Sequence, residues 1–172
     1  MIDSNKKILI AYYSRKGQNY VGSRIVNLAV GNTEVAAKMA QEITGGDLFE
    51  IRTVKAYPVD YTETTEVAAV EKRNNERPEL AAHVDNMDEY DTIILGYPNW
   101  WGTPPMAVFT FLEEYDFTGK TILPFCTHEG SGMGGSERDI KRICPTAKVE
   151  KGLAIRGGTV NNAAGTIKSW LL

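Results

Sequence analysis

Apolar residues in this chain alternate between two spacings. Unbroken runs recur at Ile8–Tyr13, within "YDTIILGY" (90–97) and within "KTILPFCT" (120–127). Runs of this length without polar interruption fit strands buried on both faces of a sheet. Between them the spacing becomes helical. In "TEVAAKMAQEITGG" (33–46), Val35, Ala36, Met39, Ala40 and Ile43 fall on one face, and the glycine pair ends the helix. "DLFEIRTV" (47–54) alternates as a half-buried strand does. "DYTETTEVAAVEKRNNERPEL" (60–80) reads as a polar helix stopped near Pro78, and "PPMAVFTFLEEY" (104–115) as a helix with proline in its first turn. "GSERDIKRIC" (135–144) is a helix ended by Pro145, "AKVEKGLAI" (147–155) a last strand, and "NNAAGTIKSWLL" (161–172) a terminal helix.

Strands that alternate with helices in this way imply an α/β fold, a parallel sheet covered on both faces. Ligands of such sheets sit beyond the carboxyl ends of the strands, where the strand order reverses. The loops after 8–13, 91–97 and 121–126 are therefore where function is expected. A chain of 172 residues suits one domain, 1–172, able to bury roughly 70% of its extended surface. Composition excludes several classes. The net charge is −3 and no basic run exceeds two residues, which disfavours a nucleic-acid binder. The first apolar run is too short for a signal segment or a membrane span. Two distant cysteines, Cys126 and Cys144, form no metal or disulfide pattern and fit a reducing compartment. The expectation is a cytoplasmic protein without membrane contact.

Each of the three loops carries candidate chemistry. The first runs from "YYSRKGQNY" to "VGNTEVAA", with Gly31-Asn32-Thr33 opening a helix. Free N–H groups at a helix start suit a phosphate, with Ser14, Asn32 and Thr33 as further donors and Arg15 and Lys16 as nearby charge. By itself the triplet reads first as a helix cap. No G-x-x-x-x-G-K-[ST] is present, and "GSGMGG" (130–135) lacks the spacing of a dinucleotide fingerprint.

The second loop, "PNWWGTPP", places two tryptophans where turns usually carry small polar residues. A flat ring system would stack on an exposed indole, and Gly102 would let it approach the backbone. The bland alternative is that the indoles pack into the core, and one of them is expected to do so. The third loop, "CTHEGSGMGG" (126–135), offers exposed backbone N–H groups with little bulk. Cys126 and His128 also invite a nucleophile–base pair, which the absence of an orienting acid disfavours.

With these loops in place, the chain resembles the flavodoxin-like family over nearly its whole length. It is most similar to the bacterial subgroup carrying "YYS…GNTE", "YPNWWG" and "PFCTHEGSG". The resemblance implies a three-layer sandwich with a five-stranded parallel sheet in the order 2-1-3-4-5. It implies FMN as cofactor. Ser14, Arg15, Asn32 and Thr33 would hold the phosphate. Pro98, Asn99, Trp100, Trp101 and Gly102 would form one isoalloxazine loop, with an indole stacked on the ring. Thr127, His128, Glu129, Gly130, Ser131 and Gly132 would line the other edge.

Three departures stand out. The family's phosphate loop is interrupted by "KGQNYVGSRIVNLAV" (16–30), whose "RIVNLAV" alternates as a short strand or flap would. The aromatic that commonly covers the second flavin face is missing after the fourth strand. His128 and Met133 are the substitutes at hand, or the face is open, which would leave room for a nicotinamide or quinone ring; Tyr20 and Tyr57 are residues that could close over the site. No insertion splits the last strand, as one does in long-chain members.

FMN would carry the redox chemistry while the protein sets potential and access. A carbonyl near Trp101-Gly102 could accept from the flavin N5–H and favour the one-electron state. The reading is an electron carrier that meets redox partner proteins transiently. The alternative is an NAD(P)H-dependent FMN or quinone reductase using the same site.

Overall fold

A computed structural model describes residues 2–3 and 5–172. Strand β1 (Ile8–Tyr12) leads into an antiparallel hairpin of β2 (Gly17–Val21) and β3 (Arg24–Leu28), then helix α1 (Asn32–Thr44). Strand β4 (Asp47–Glu50), helix α2 (Tyr61–Arg73), strand β5 (Thr92–Pro98) and helix α3 (Met106–Glu113) follow. The chain ends with β6 (Thr121–His128), α4 (Ser136–Ile143), β7 (Lys148–Val149), β8 (Leu153–Arg156) and α5 (Ala164–Leu171). The main sheet runs β4-β1-β5-β6, with β7 and β8 both pairing with β6, and every pairing in it is parallel.

Counted along the sheet, the expected order 2-1-3-4-5 is present, with one correction: the fifth strand is two pieces, so the main sheet has six strands. The expected continuous strand over 147–155 breaks at Glu150–Gly152 because side chains take up its backbone groups. Gly152 N donates to Glu137 Oε2 at 2.8 Å, and the Trp170 indole donates to Lys151 O at 3.1 Å. A Cβ at Gly152 would lie 2.3 Å from Met133 Cε, so a larger residue there would have to displace the methionine side chain.

The alternation of side chains along a strand builds the two outer layers. From β1, Leu9, Ala11 and Tyr13 face one side, packing with Ile93, Leu95 and Phe111, while Ile8, Ile10 and Tyr12 face the other, with Ala36, Ala40 and Ile167. Helix α3 therefore covers one face, and α1 with α5 the other. Three predicted elements are shorter than their patterns. Helix α2 ends at Arg73, well before Pro78, with Asn75 following in the left-handed region at φ 52°. Strand β4 stops at Glu50. The terminal helix is preceded by a separate 3₁₀ segment at Gly157–Asn162.

The inserted segment folds as the alternation of "RIVNLAV" foretells. Gly22 and Ser23 take positive φ of 60° and 68° between Val21 and Arg24, the two-residue turn whose twist suits a hairpin.

Candidate functional site

A cleft of about 530 Å³ opens at the carboxyl ends of β1, β5 and β6, lined by all three predicted loops. Arg15, Asn32 and Thr33 line it from the first loop, and Pro98, Asn99 and Trp100 from the second. Thr127, His128, Glu129, Gly130 and Ser131 line it from the third. Ser14, Trp101, Gly102 and Gly132 lie outside this lining.

The start of α1 is built from both ends of the interrupted first loop. Its N-cap is Gly31, which has no side chain to cap with. Ser14 supplies the missing oxygen, as Glu34 N donates to Ser14 Oγ at 3.0 Å. A Cβ on Gly31 would fall 2.2 Å from that hydroxyl, so the glycine is what lets the two loop ends meet. Thr33, buried, shares a 2.8 Å hydrogen bond with Thr127 at the end of β6. Arg15 is largely committed: Nε donates to Gln18 O, and Nη2 to Pro58 O and Val59 O. Its guanidinium thus ties the hairpin to the segment before α2, as well as bordering the cleft.

The second loop turns at Trp101 and Gly102, both at positive φ (59° and 81°), and Trp100 N donates to Thr103 O at 3.0 Å. A tryptophan in this region is uncommon, because its Cβ crowds the following carbonyl. Contacts with α2 hold it: its indole donates to Thr65 O at 2.9 Å and Lys72 Nζ donates to Trp101 O. Trp101 consequently lies away from the cleft and is 55% exposed. Trp100 lines the cleft instead, edge-on to Tyr13 at 5.3 Å and Tyr57 at 5.2 Å. The carbonyls expected to face a ligand are also engaged, Trp101 O by Lys72 and Gly102 O by Gly135 N at 2.8 Å. Asn99 locks this turn to the third loop. Its Oδ1 accepts from Gly102 N and its Nδ2 donates to Gly132 O, each at 2.8 Å.

The third loop does not form a nucleophile–base pair. Burial pushes the Cys126 thiol up to about 12, and its Sγ donates to Gly132 O at 3.7 Å. His128 Nδ1 accepts from Gly130 N at 2.8 Å, and burial followed by the nearby Arg156 charge holds its pKa below the ordinary value. Met133 is no substitute for an aromatic here, since it packs into the core beside Gly152. Tyr57 is likewise not over the cleft. It backs Trp100 from behind, with its hydroxyl on Glu71 at 2.8 Å. There it borders a larger groove of about 900 Å³ between α2 and residues 54–58, which none of the three loops reaches.

Four lining residues were not among the predicted ones: Asn19, Tyr20, Tyr61 and Gly157. Tyr20, expected at most to close over the site, is part of its lining. Gly157 carries no motif, yet a Cβ there would meet Asn32 Nδ2 at 2.5 Å and Glu129 Oε1 at 2.7 Å. Tyr61 follows the α2 cap Asp60 and gave no signal of its own.

A family model described as Flavodoxin matches residues 7–171. The chain belongs to the flavodoxin family. No curated protein matches it significantly. Among solved structures it is similar to a protein from Bacteroides uniformis, provisionally described as a flavoprotein, with 30% identity, TM-score 0.76, and 96% and 97% of the two chains covered. A second, from Bacteroides eggerthii and described in the same way, shows 29% identity, TM-score 0.73, and 95% and 98% coverage. A flavoprotein from Lactobacillus acidophilus in complex with FMN shares the fold at 22% identity, TM-score 0.67, with 93% and 99% covered.

Proposed function

We propose that this flavodoxin-family chain is an electron carrier of the cytoplasm, holding FMN in the rim cleft and passing electrons between redox partner proteins. The observation that carries the reading is the convergence of the α1 start, Trp100 and the third loop on one cleft. FMN is the cofactor that family membership brings to such a cleft. The residues present fit it. Among the described residues, Glu129 Oε1 is the buried side-chain oxygen left without a hydrogen-bond partner. That oxygen is closed off beside Gly157, so the fit rests on what the cleft presents: the first N–H groups of α1, the Trp100 ring and the polar third loop.

Asn32 and Thr33, at the helix start, would hold the phosphate, where unpaired N–H groups and the helix dipole favour an anion. Arg15 adds positive charge at the same end. Trp100 presents an aromatic surface braced by Tyr13 and Tyr57. Asn99 fixes the spacing between the second and third loops, so the two edges of the cleft do not drift. Thr127 through Ser131 present polar and backbone groups along the other edge. When bound, the flavin supplies electron acceptance and donation. The protein's residues bind it, orient it and restrict water and partners around it.

The alternative, an NAD(P)H-dependent FMN or quinone reductase on the same site, draws support from the net charge of only −3, mild for a carrier that docks through charge. Potentiometric titration of the FMN-loaded protein separates the two. Two resolved one-electron steps, with no bleaching by NADPH alone, support the carrier. A single two-electron step with rapid bleaching by NADPH supports the reductase.

A further inference from the structure

We infer that the inserted hairpin Gly17–Leu28 is the second wall of the cleft, and that Tyr20 is the residue that decides what can approach the cofactor ring. This rests on the reading that FMN occupies the cleft.

Two separate aromatic groups border the same cleft. One is Trp100 with Tyr13 and Tyr57 behind it. The other is Tyr20, stacked on Tyr61 at 6.4 Å with an interplanar angle of 25°. Tyr20 comes from the hairpin, Tyr61 from the start of α2 and Trp100 from the turn after β5, yet Tyr20, Tyr61 and Trp100 all line the cleft. Tyr20 is 43% exposed, so it retains apolar surface that an occupant would cover. A flat ring filling the cleft would meet aromatic side chains from both groups.

The hairpin is placed for this role by its anchors. At its base, Gln18 Oε1 accepts from Tyr61 N at 2.7 Å, and Arg15 joins Gln18 O to Pro58 O and Val59 O. At its tip the tie is weaker: Gly22 N donates to Glu129 Oε2 at 3.3 Å. Glu129 thus links the hairpin tip to the third loop through one oxygen and keeps the other, Oε1, without a partner.

A nicotinamide ring must stack on a flavin face to pass a hydride, becoming oxidised as the flavin is reduced. A face covered by Tyr20 excludes that ring, whereas single electrons can leave through an exposed edge. The inserted hairpin therefore selects one-electron partners over hydride donors.

Tyr20→Ala and Tyr20→Phe, compared with wild type, test this. Fluorescence titration should show Tyr20→Ala binding FMN about three- to tenfold more weakly, the size of one lost aromatic pair, with Tyr20→Phe close to wild type. Direct reduction of the FMN-loaded protein by NADPH should be faster in Tyr20→Ala. Trypsin cleavage at Arg24, exposed in the hairpin, should slow when FMN is added to wild type and not when it is added to Tyr20→Ala. Unchanged FMN affinity in Tyr20→Ala, an unchanged NADPH rate, or cleavage of wild type indifferent to FMN overturns the inference. If Tyr20→Ala does not fold by circular dichroism, the wild-type protease result decides. A wild type that binds no FMN removes the proposed function itself, whereas tight wild-type binding with an unaffected Tyr20→Ala removes only the role of Tyr20.

Discussion

Trp100 and Trp101 are adjacent in sequence and differ in every surrounding. Trp100 is half-buried against Tyr13 and Tyr57 and borders the cleft, whereas Trp101 sits over α2 with its indole donated to Thr65 O. Trp100→Ala should therefore weaken FMN binding about tenfold or more and lower stability by about 2 kcal/mol, less than the cost for a fully buried tryptophan. Trp101→Ala should leave FMN affinity within about threefold of wild type, because the lost contacts are to α2. FMN titration and thermal melting of the two variants check both statements.

His128 gives a pH dependence whose sign follows from its surroundings. Burial and Arg156 lower its folded pKa, while Glu129 opposes the shift. The folded state therefore binds the proton less readily than the unfolded chain does. The stability it contributes is complete above the ordinary histidine value of 6.5 and is lost as pH falls through and below it. Protonation would also remove the acceptor for Gly130 N–H. His128→Gln should flatten this part of the stability profile, measured by denaturant melts between pH 5 and 7. A profile unchanged by the substitution would show that the slope belongs to other groups.

At the scale of elements, β5 shows how tightly the site is tied to the core. Gly96 sits in the middle of the sheet, and a Cβ there would lie 2.2 Å from Phe125 Cζ. Phe125 is itself buried, so the ring has nowhere to go. Gly96→Ala should cost about 1–3 kcal/mol through overpacking, seen as a lowered melting temperature. The strands β1, β5 and β6 were legible because unbroken apolar runs leave few alternatives to a doubly covered strand. Helix α1 was legible because its apolar face is regular and Gly45 and Gly46 follow it. The end of α2 was not. Asn75 in the left-handed region stops it, and an asparagine pair is a weaker stop signal than the proline that follows. The break between β7 and β8 depends on Glu137 and Trp170, which reach it from distant helices, so nothing local to 147–155 announces it.

Across the whole molecule, the three loops were legible because parallel strand order alone brings the carboxyl ends of β1, β5 and β6 to one rim. Arg15, Asn32, Thr33, Asn99 and Thr127 meet there as their motifs suggested. Long-range partners decided the rest. Ser14 caps α1 across the inserted hairpin, and Gly157 closes the cleft floor against Asn32 and Glu129 from the far end of the chain. Tyr61 enters because Gln18 binds its backbone, a contact that joins two segments no periodicity relates. None of the described helices is long and apolar enough to cross a membrane.

Everything proposed for the cleft depends on FMN binding there, and binding to the folded state alone raises stability with ligand concentration. The most direct measurement is titration of FMN with the cofactor-free protein, following flavin fluorescence. FMN held in the cleft gives saturable quenching, weakened by Trp100→Ala and little changed by Trp101→Ala. FMN fluorescence that stays at its full value throughout the titration would contradict it.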